Sequence, residues 1–158
     1  MAFGAALPPR GALVALDVSP RRLGVAATDP ERRLVTPLCT IARRRLRLDL
    51  AALQAVAVER AAVGWVVGWP LNMDGSAGPT CDRVRSFVAA LAAAHPLPTL
   101  LQDERLSSDA AREAIAEGRF GRIRRGEPAD HVAAAIILED ALRATARPLP
   151  GSLAADTA

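Results

Sequence analysis

Residues 13–41, LVALDVSPRRLGVAATDPERRLVTPLCTI, hold three short apolar runs joined by short polar links. The runs are LVALDV (13–18), LGVAAT (23–28) and ERRLVTPLCTI (31–41), the last carrying Pro37 as the mark of a strand edge or a bulge. Links this short turn the chain back beside itself, so the stretch predicts an antiparallel three-stranded meander.

Downstream the period changes. Leu46, Leu50, Leu53, Val56 and Ala57 recur at helical spacing. GWVVGWP (64–70) is a short apolar run bounded by Gly and Pro and reads as a buried strand. Residues 79–95 predict a helix with Val84, Phe87, Val88 and Leu91 inward, and PTLLQDE predicts a fifth strand. SSDAAREAIAEG reads as a helix with Ser107 or Ser108 as N-cap and Gly118 as C-cap. Residues 129–145 predict a final amphipathic helix. The order β-β-β-α-β-α-β-α-α implies an α/β fold: a mixed five-stranded sheet with helices on both faces. Residues 12–145 form the expected folded domain, and 1–11 and 146–158, rich in Ala, Gly, Pro and Ser, read as flexible tails.

At 158 residues the chain predicts one domain with a single sizeable core. Only 3% of residues are aromatic, so Leu, Val, Ile and Ala must build that core. No apolar run reaches the roughly 18 residues a spanning helix needs, and the start MAFGAALPPRG lacks a signal-peptide pattern. The expectation is a cytoplasmic protein with no membrane partner, either a monomer or a weak homodimer. Cys39 and Cys81 lack metal-ligand spacing; Cys39 reads as a small buried hydrophobe, whereas Cys81, near a helix start, reads as open to exposure. All 20 basic residues are Arg, giving a net charge of +3. That excess permits a polyanionic partner, and every cation is a planar fork suited to phosphate.

Three acidic clusters sit far apart, each at the edge of an apolar segment: Asp17, Asp103-Glu104 and Asp130. Each has a bland alternative. Asp17 suits a turn start before Ser19-Pro20, Glu104 suits a helix cap, and Asp130, two residues after Pro128, suits a helix N-terminus. Asp103 and Glu104 point to opposite faces of a strand, so only one can join Asp17. Brought together, three carboxylates without a Cys/His cluster suit Mg²⁺ or Mn²⁺ rather than zinc, and two such ions can clamp the oxygens of a phosphodiester displacement. His131 reads as a bystander at the helix start, and His95 as a surface helix end. The loop GWPLNMDGSAGP (68–79) lacks the P-loop pattern but offers glycines and Asn72 to a phosphate backbone. Of the two basic tracts, ARRRLR (42–47) reads as a solvated surface, whereas GRFGRIRR (118–125), which contains Arg122, is better placed to touch nucleic acid.

Four blocks resemble the YqgF/RuvX family of pre-16S rRNA nucleases, also described as Holliday-junction-resolvase-like. They are LDVSPRRLGVA (16–26), VVGWPLNMDGSAGP (66–79), DERLSSDAAREA (103–114) and DHVAAAIILEDAL (130–142). The resemblance spans residues 12–145. It implies a ribonuclease-H-like fold and a magnesium-dependent endonuclease site, with the acidic triad on Asp17, Glu104 and Asp130 as catalytic and metal-binding residues. It places nucleic-acid-binding positions on Arg22, Asn72, Gly75 and Arg105. One departure is Ser19-Pro20, where the family carries Gly two places after the first Asp, and the expectation is an altered turn there. The implied substrate is the 5′ end of precursor 16S rRNA. The rival expectations are branched DNA, a ribonuclease-H-like module that binds nucleic acid without cutting it, and a small-molecule phosphotransferase of actin-like fold. The third fits worst, because its nucleotide site needs two such domains.

Overall fold

The meander forms as three consecutive antiparallel strands, β1 (Ala12–Val18), β2 (Arg22–Thr28) and β3 (Val35–Ala42). The computed structural model describes residues 3–104, 107–124 and 126–146, with backbone alone at 107, 108, 145 and 146. Ser19 closes the β1–β2 turn: its backbone N–H and its hydroxyl both donate to the Arg22 carbonyl, at 3.0 and 2.9 Å. The turn that departs from the family pattern is thus built by Ser19 itself. Pro37 sits where the β2–β3 register slips, Val25 facing Cys39 and Ala26 facing Pro37, so the outer strand carries both the edge and the bulge expected of it.

Helix α2 (Leu46–Arg60) carries the chain back to β4 (Ala62–Trp69), which lies parallel to β1. Helix α3 (Pro79–Ala94) leads to β5 (Thr99–Asp103), parallel to β4, and the sheet order is β3-β2-β1-β4-β5. Helices α4 (Ser107–Ala116) and α5 (Asp130–Ala146) complete the chain. On one face, Val14, Leu16, Val25, Trp65 and Val67 meet Leu53 and Ala57 of α2 and Val84, Phe87 and Leu91 of α3. On the other, Leu13, Ala15, Ala26 and Val66 meet Ala134, Ala135, Ile137, Leu138 and Ala141 of α5. β1 is therefore buried on both faces, which is why its sequence runs apolar without alternation.

Helix α5 was expected to be amphipathic, yet residues 132–138 are all buried. The reason is that α4 covers the side away from the sheet, through Ala111 and Ala114 against Val132, Ala133 and Ile136. The expected tail at 1–11 is partly anchored. Residues Phe3–Ala6 form a short helix, α1, and Phe3 and Leu7 pack on the α5-side core. Arg32 donates to the Pro8 and Gly11 carbonyls at 2.7 and 2.8 Å. Of the second expected tail, 146–158, Ala146 instead ends α5, and residues 147–158 lie outside the described residues. Cys81 is buried rather than exposed, because the first turn of α3 tucks under the loop after β4 and its thiol reaches the Pro70 carbonyl at 3.4 Å. Cys39 is half-buried beside the α2/α3 core.

One buried acid organises the passage from β3 into α2. Asp49, 1% exposed, accepts from the Arg44 N–H at 2.9 Å and from Arg43 Nε at 3.3 Å. Arg43 also donates to the Ser19 carbonyl at 3.1 Å and lies over the Phe87 ring at 5.1 Å. A single guanidinium thus joins the first turn, the end of β3, α2 and α3. Asp49→Ala strips that guanidinium and the Arg44 amide of their carboxylate partner, and is predicted to cost about 2–4 kcal/mol in urea denaturation. A loss below about 0.5 kcal/mol, the range of ordinary surface changes, would show that the strut carries no strain-bearing role.

Candidate active site

Asp17 is the one residue of β1 that is not fully buried. It points to the α5 face, two residues on from Leu13 and Ala15, which pack there. Its neighbours across the sheet are glycines. Gly24 on β2 pairs with Asp17 directly. On the other side Leu16 pairs with Val67, which sets Gly68 of β4 next to Asp17. The row continues outward, Thr40 of β3 pairing with Gly24 and Gln102 of β5 with Gly68.

Both glycine gaps are filled by other acids. A Cβ on Gly24 would lie 2.0 Å from the Asp130 carbonyl oxygen and 2.9 Å from Asp130 Cβ. A Cβ on Gly68 would lie 2.7 Å from Glu104 Oε2 and 2.8 Å from Ile137 Cδ1. The missing side chains are what let the start of α5 settle on β2 and the Glu104 carboxylate lean over β4. Small residues at Ala134, Ala135 and Ala141 keep α5 close to the sheet along its length.

The choice between Asp103 and Glu104 follows from alternation. Leu100 of β5 packs on the α5 side, and the two-residue period carries that face to 102 and 104. Glu104 therefore shares the face of Asp17, and Asp103, opposite Trp69, belongs to the other. The Glu104 N–H donates to the Trp69 carbonyl at 3.2 Å, holding the residue at the end of the strand pair.

Asp130 is placed by two further contacts. Arg22 Nε donates to Asp130 Oδ1 at 2.9 Å. Thr40 Oγ1 lies 2.8 Å from His131 Nδ1 and accepts from the His131 N–H at 3.3 Å. His131, read from sequence as a bystander, thus pins the first turn of α5 to β3. Asp17 feels the crowding. Its pKa is raised from 3.8 to about 6, first by burial and then by the Asp130 charge, against the opposing pull of a hydrogen bond with Glu104 and of Arg22. A site that costs energy to charge and presents only carboxylate oxygens suits a hard divalent cation. Among the described residues no group of three or more His, Cys, Asp or Glu side chains already stands at separations that would hold a metal.

The remaining candidates fall elsewhere. Asn72 and Gly75 are used within the loop that leaves β4: Asn72 Nδ2 donates to Ser76 Oγ at 3.0 Å, and the Gly75 N–H donates to the Asn72 carbonyl at 2.8 Å with φ at +89°. Arg122 is exposed beside Arg124, Gly126 and Glu127 around an open hollow. Arg105 lies outside the described residues. Gly24 and Thr40 carry no role in the sequence reading, Gly68 enters it only as part of the loop, and His131 only as a bystander. The signal for the glycines was present, since a lone glycine inside an apolar strand marks a close approach.

Two predictions follow from this geometry. At Gly24 the obstacle is backbone, so Gly24→Ala should displace the start of α5 and lower stability by about 1–3 kcal/mol. At Gly68 the nearest obstacle is a side-chain end, so Gly68→Ala should swing Glu104 away with a smaller loss of stability. Thermal melts of both variants check the order. The second concerns pH. The folded chain holds the Asp17 proton more tightly than the unfolded chain does, which favours folding below about pH 4, and the advantage is lost as pH rises through about 6. In divalent-free buffer at about pH 8, Asp17→Asn should be more stable than the parent by roughly 1–3 kcal/mol. The difference should close by about pH 4, as read by urea denaturation.

Comparison with known proteins bears on the family and the fold. The family model "RuvX: Holliday junction resolvase" matches residues 11–144. A protein of Cereibacter sphaeroides named "Putative pre-16S rRNA nuclease" is 49% identical over 140 residues, covering 89% of this chain and 88% of its own. Proteins of the same name from Rhodobacter capsulatus and Rhodospirillum rubrum are 48% and 46% identical, the latter covering 94% of this chain and 92% of its own. Among solved structures, T. thermophilus RuvC in complex with a Holliday junction substrate superposes with a TM-score of 0.59 at 14% identity, over 85% of this chain and 96% of that one. The fowlpox virus Holliday junction resolvase superposes at 0.53 and 8% identity, over 86% of this chain and 99% of that one. Both share the mixed-sheet resolvase fold, and by the extent and identity of the sequence matches the chain belongs to the YqgF/RuvX family.

Proposed function

We propose that this nuclease-family chain is a divalent-metal-dependent endonuclease that hydrolyses phosphodiester bonds, with Asp17, Glu104 and Asp130 as its catalytic carboxylates. The observation that carries the reading is the pair of glycine gaps beside Asp17, which admit an acid from each side. The three residues would hold Mg²⁺ or Mn²⁺. When bound, such a cation supplies Lewis acidity at phosphate oxygens and lowers the pKa of water.

The chain's own groups do the rest. Asp17 and Glu104 share a hydrogen bond, and with its pKa raised to about 6 Asp17 is ready to give up a proton in mildly acid solution as positive charge approaches. Arg22 has one side on Asp130, which is 13% exposed, while 45% of its own side chain remains open to a phosphate oxygen. Arg105 and Arg122 would add backbone contacts, and the loop of Asn72 and Gly75 would border the strand as it passes the end of β4.

The favoured substrate is the 5′ end of precursor 16S rRNA, supported by the name shared by relatives that match nearly the whole chain. The acting form is read as a monomer or weak homodimer working in the cytoplasm. No helix among the described residues is long and apolar enough to cross a membrane. A second reading, cleavage of branched DNA, draws on the family model's description and on the fold shared with a resolvase bound to a Holliday junction.

Cleavage of a precursor-rRNA 5′ fragment beside a four-way DNA junction, at equal enzyme and Mg²⁺, tests the assignment. Asp17→Asn, Glu104→Gln and Asp130→Asn are each expected to lower cleavage by about 100-fold or more, since loss of a supporting group alone costs metal sites 10–100-fold. Full activity in Asp17→Asn would remove the triad, and faster cleavage of the junction than of the RNA would favour the second reading.

A further inference from the structure

Five arginines outside the carboxylate site lie on the segments that one strut ties together. Arg21 lies in the β1–β2 turn, Arg44, Arg45 and Arg47 lie in the passage into α2, and Arg83 lies in the first turns of α3; all five are exposed. The strut is Arg43. Its N–H donates to the Arg21 carbonyl at 2.9 Å, and its guanidinium binds the Ser19 carbonyl and Asp49. A small hollow of about 30 Å³ is lined by Ser19, Pro20, Arg43, Thr80 and Arg83. A larger one of about 360 Å³, between the starts of α2 and α3, is lined by Arg43, Leu46, Arg83, Ser86 and Phe87.

The charge of this band is not cancelled. Among the described residues none of the five makes an ion pair, and Asp49, the acid beneath them, is buried and taken up by Arg43 and the Arg44 amide. Elsewhere many arginines are paired, Arg10 and Arg33 with Glu31, Arg85 with Asp82, Arg112 with Asp109, Arg119 with Glu139 and Arg143 with Asp140, whereas the exposed Arg60, Arg122 and Arg124 lie apart from this band. Unbalanced charge on a backbone already held in place binds a polyanion with little ordering cost.

We propose that Arg21, Arg44, Arg45, Arg47 and Arg83 form a phosphate track that holds the backbone of the substrate RNA beyond the cleavage position. The inference rests on the nuclease reading and extends it to the part of the RNA that is not cut. Position supports it. Arg22 reaches the carboxylate site from the same turn in which the preceding residue, Arg21, belongs to the band. Chemistry supports it as well. Every cation is a guanidinium fork that matches phosphate, and the aromatic ring of the band, Phe87, is buried under Arg43, so it is not available to stack on bases. The track therefore reads backbone and not sequence.

The test is binding of a folded precursor-rRNA 5′ fragment to the full chain in divalent-free buffer, across a range of salt, so that no cleavage intervenes. The triple variant Arg44→Gln/Arg45→Gln/Arg47→Gln should lower the slope of log K against log salt by about 2–3 and weaken binding at least tenfold near 0.1 M salt. With Mg²⁺ present it should raise KM and leave kcat unchanged. A control that removes three paired arginines, Arg33→Gln/Arg112→Gln/Arg143→Gln, should shift the slope by less than about 1. Equal slopes in the parent and the Arg44/Arg45/Arg47 variant overturn the track and leave the nuclease reading standing. A parent that does not bind the RNA at all overturns the track together with the RNA substrate. Loss of binding to anionic phospholipid vesicles in that variant, with RNA binding intact, would reassign the band to a membrane surface and overturn the proposal.

Discussion

The absence of two side chains governs this molecule. Gly24 and Gly68 flank Asp17 on the central strands, and at each a single methyl group would collide with an atom of another acidic residue. The sheet row from Thr40 through Gly24, Asp17 and Gly68 to Gln102 is therefore shaped for approach from above. Helix α5 comes down on one gap and the end of β5 folds over the other. Three carboxylates separated by most of the chain meet because the surface between them has been left low.

That convergence carries an electrostatic cost, and the structure shows where it falls. Asp17, half-buried between the other two, bears it as a pKa raised to about 6. Arg22 is paired with Asp130, and Arg22 and the hydrogen bond with Glu104 both work against the rise at Asp17. The arginines differ accordingly. Arg43 is consumed inside the protein as a strut, Arg22 is committed to an acid of the site, Arg10, Arg33, Arg85, Arg112, Arg119 and Arg143 pair with surface acids, and Arg44 and Arg45 are exposed without an ion pair among the described residues.

Much of the fold could be read along the chain because the local signals were strong. The short links of residues 13–41, the apolar run 64–70 and the helical spacings gave strands and helices in the right order. The three acids were visible as charges at the ends of apolar runs. What could not be read was facing. β1 is buried on both sides, so no alternation tells which side Asp17 takes, and the choice between Asp103 and Glu104 rests on Leu100 packing against α5, a tertiary fact. The burial of Cys81 and of Asp49 likewise depends on segments distant in sequence, Pro70 for one and Arg43 with its partners for the other. The anchoring of Phe3 and Leu7 depends on the bare strand surface at Gly64, which composition alone does not reveal.

The central claim is that Asp17, Glu104 and Asp130 form one charged unit awaiting a cation. Calorimetric titration with Mn²⁺ at about pH 6, in two buffers of different ionisation enthalpy, addresses it most directly. The account predicts saturable binding accompanied by proton release in the parent, and the loss of both in Asp17→Asn. Absence of Mn²⁺ binding in the parent, with nucleic acid present as well as without it, would contradict it.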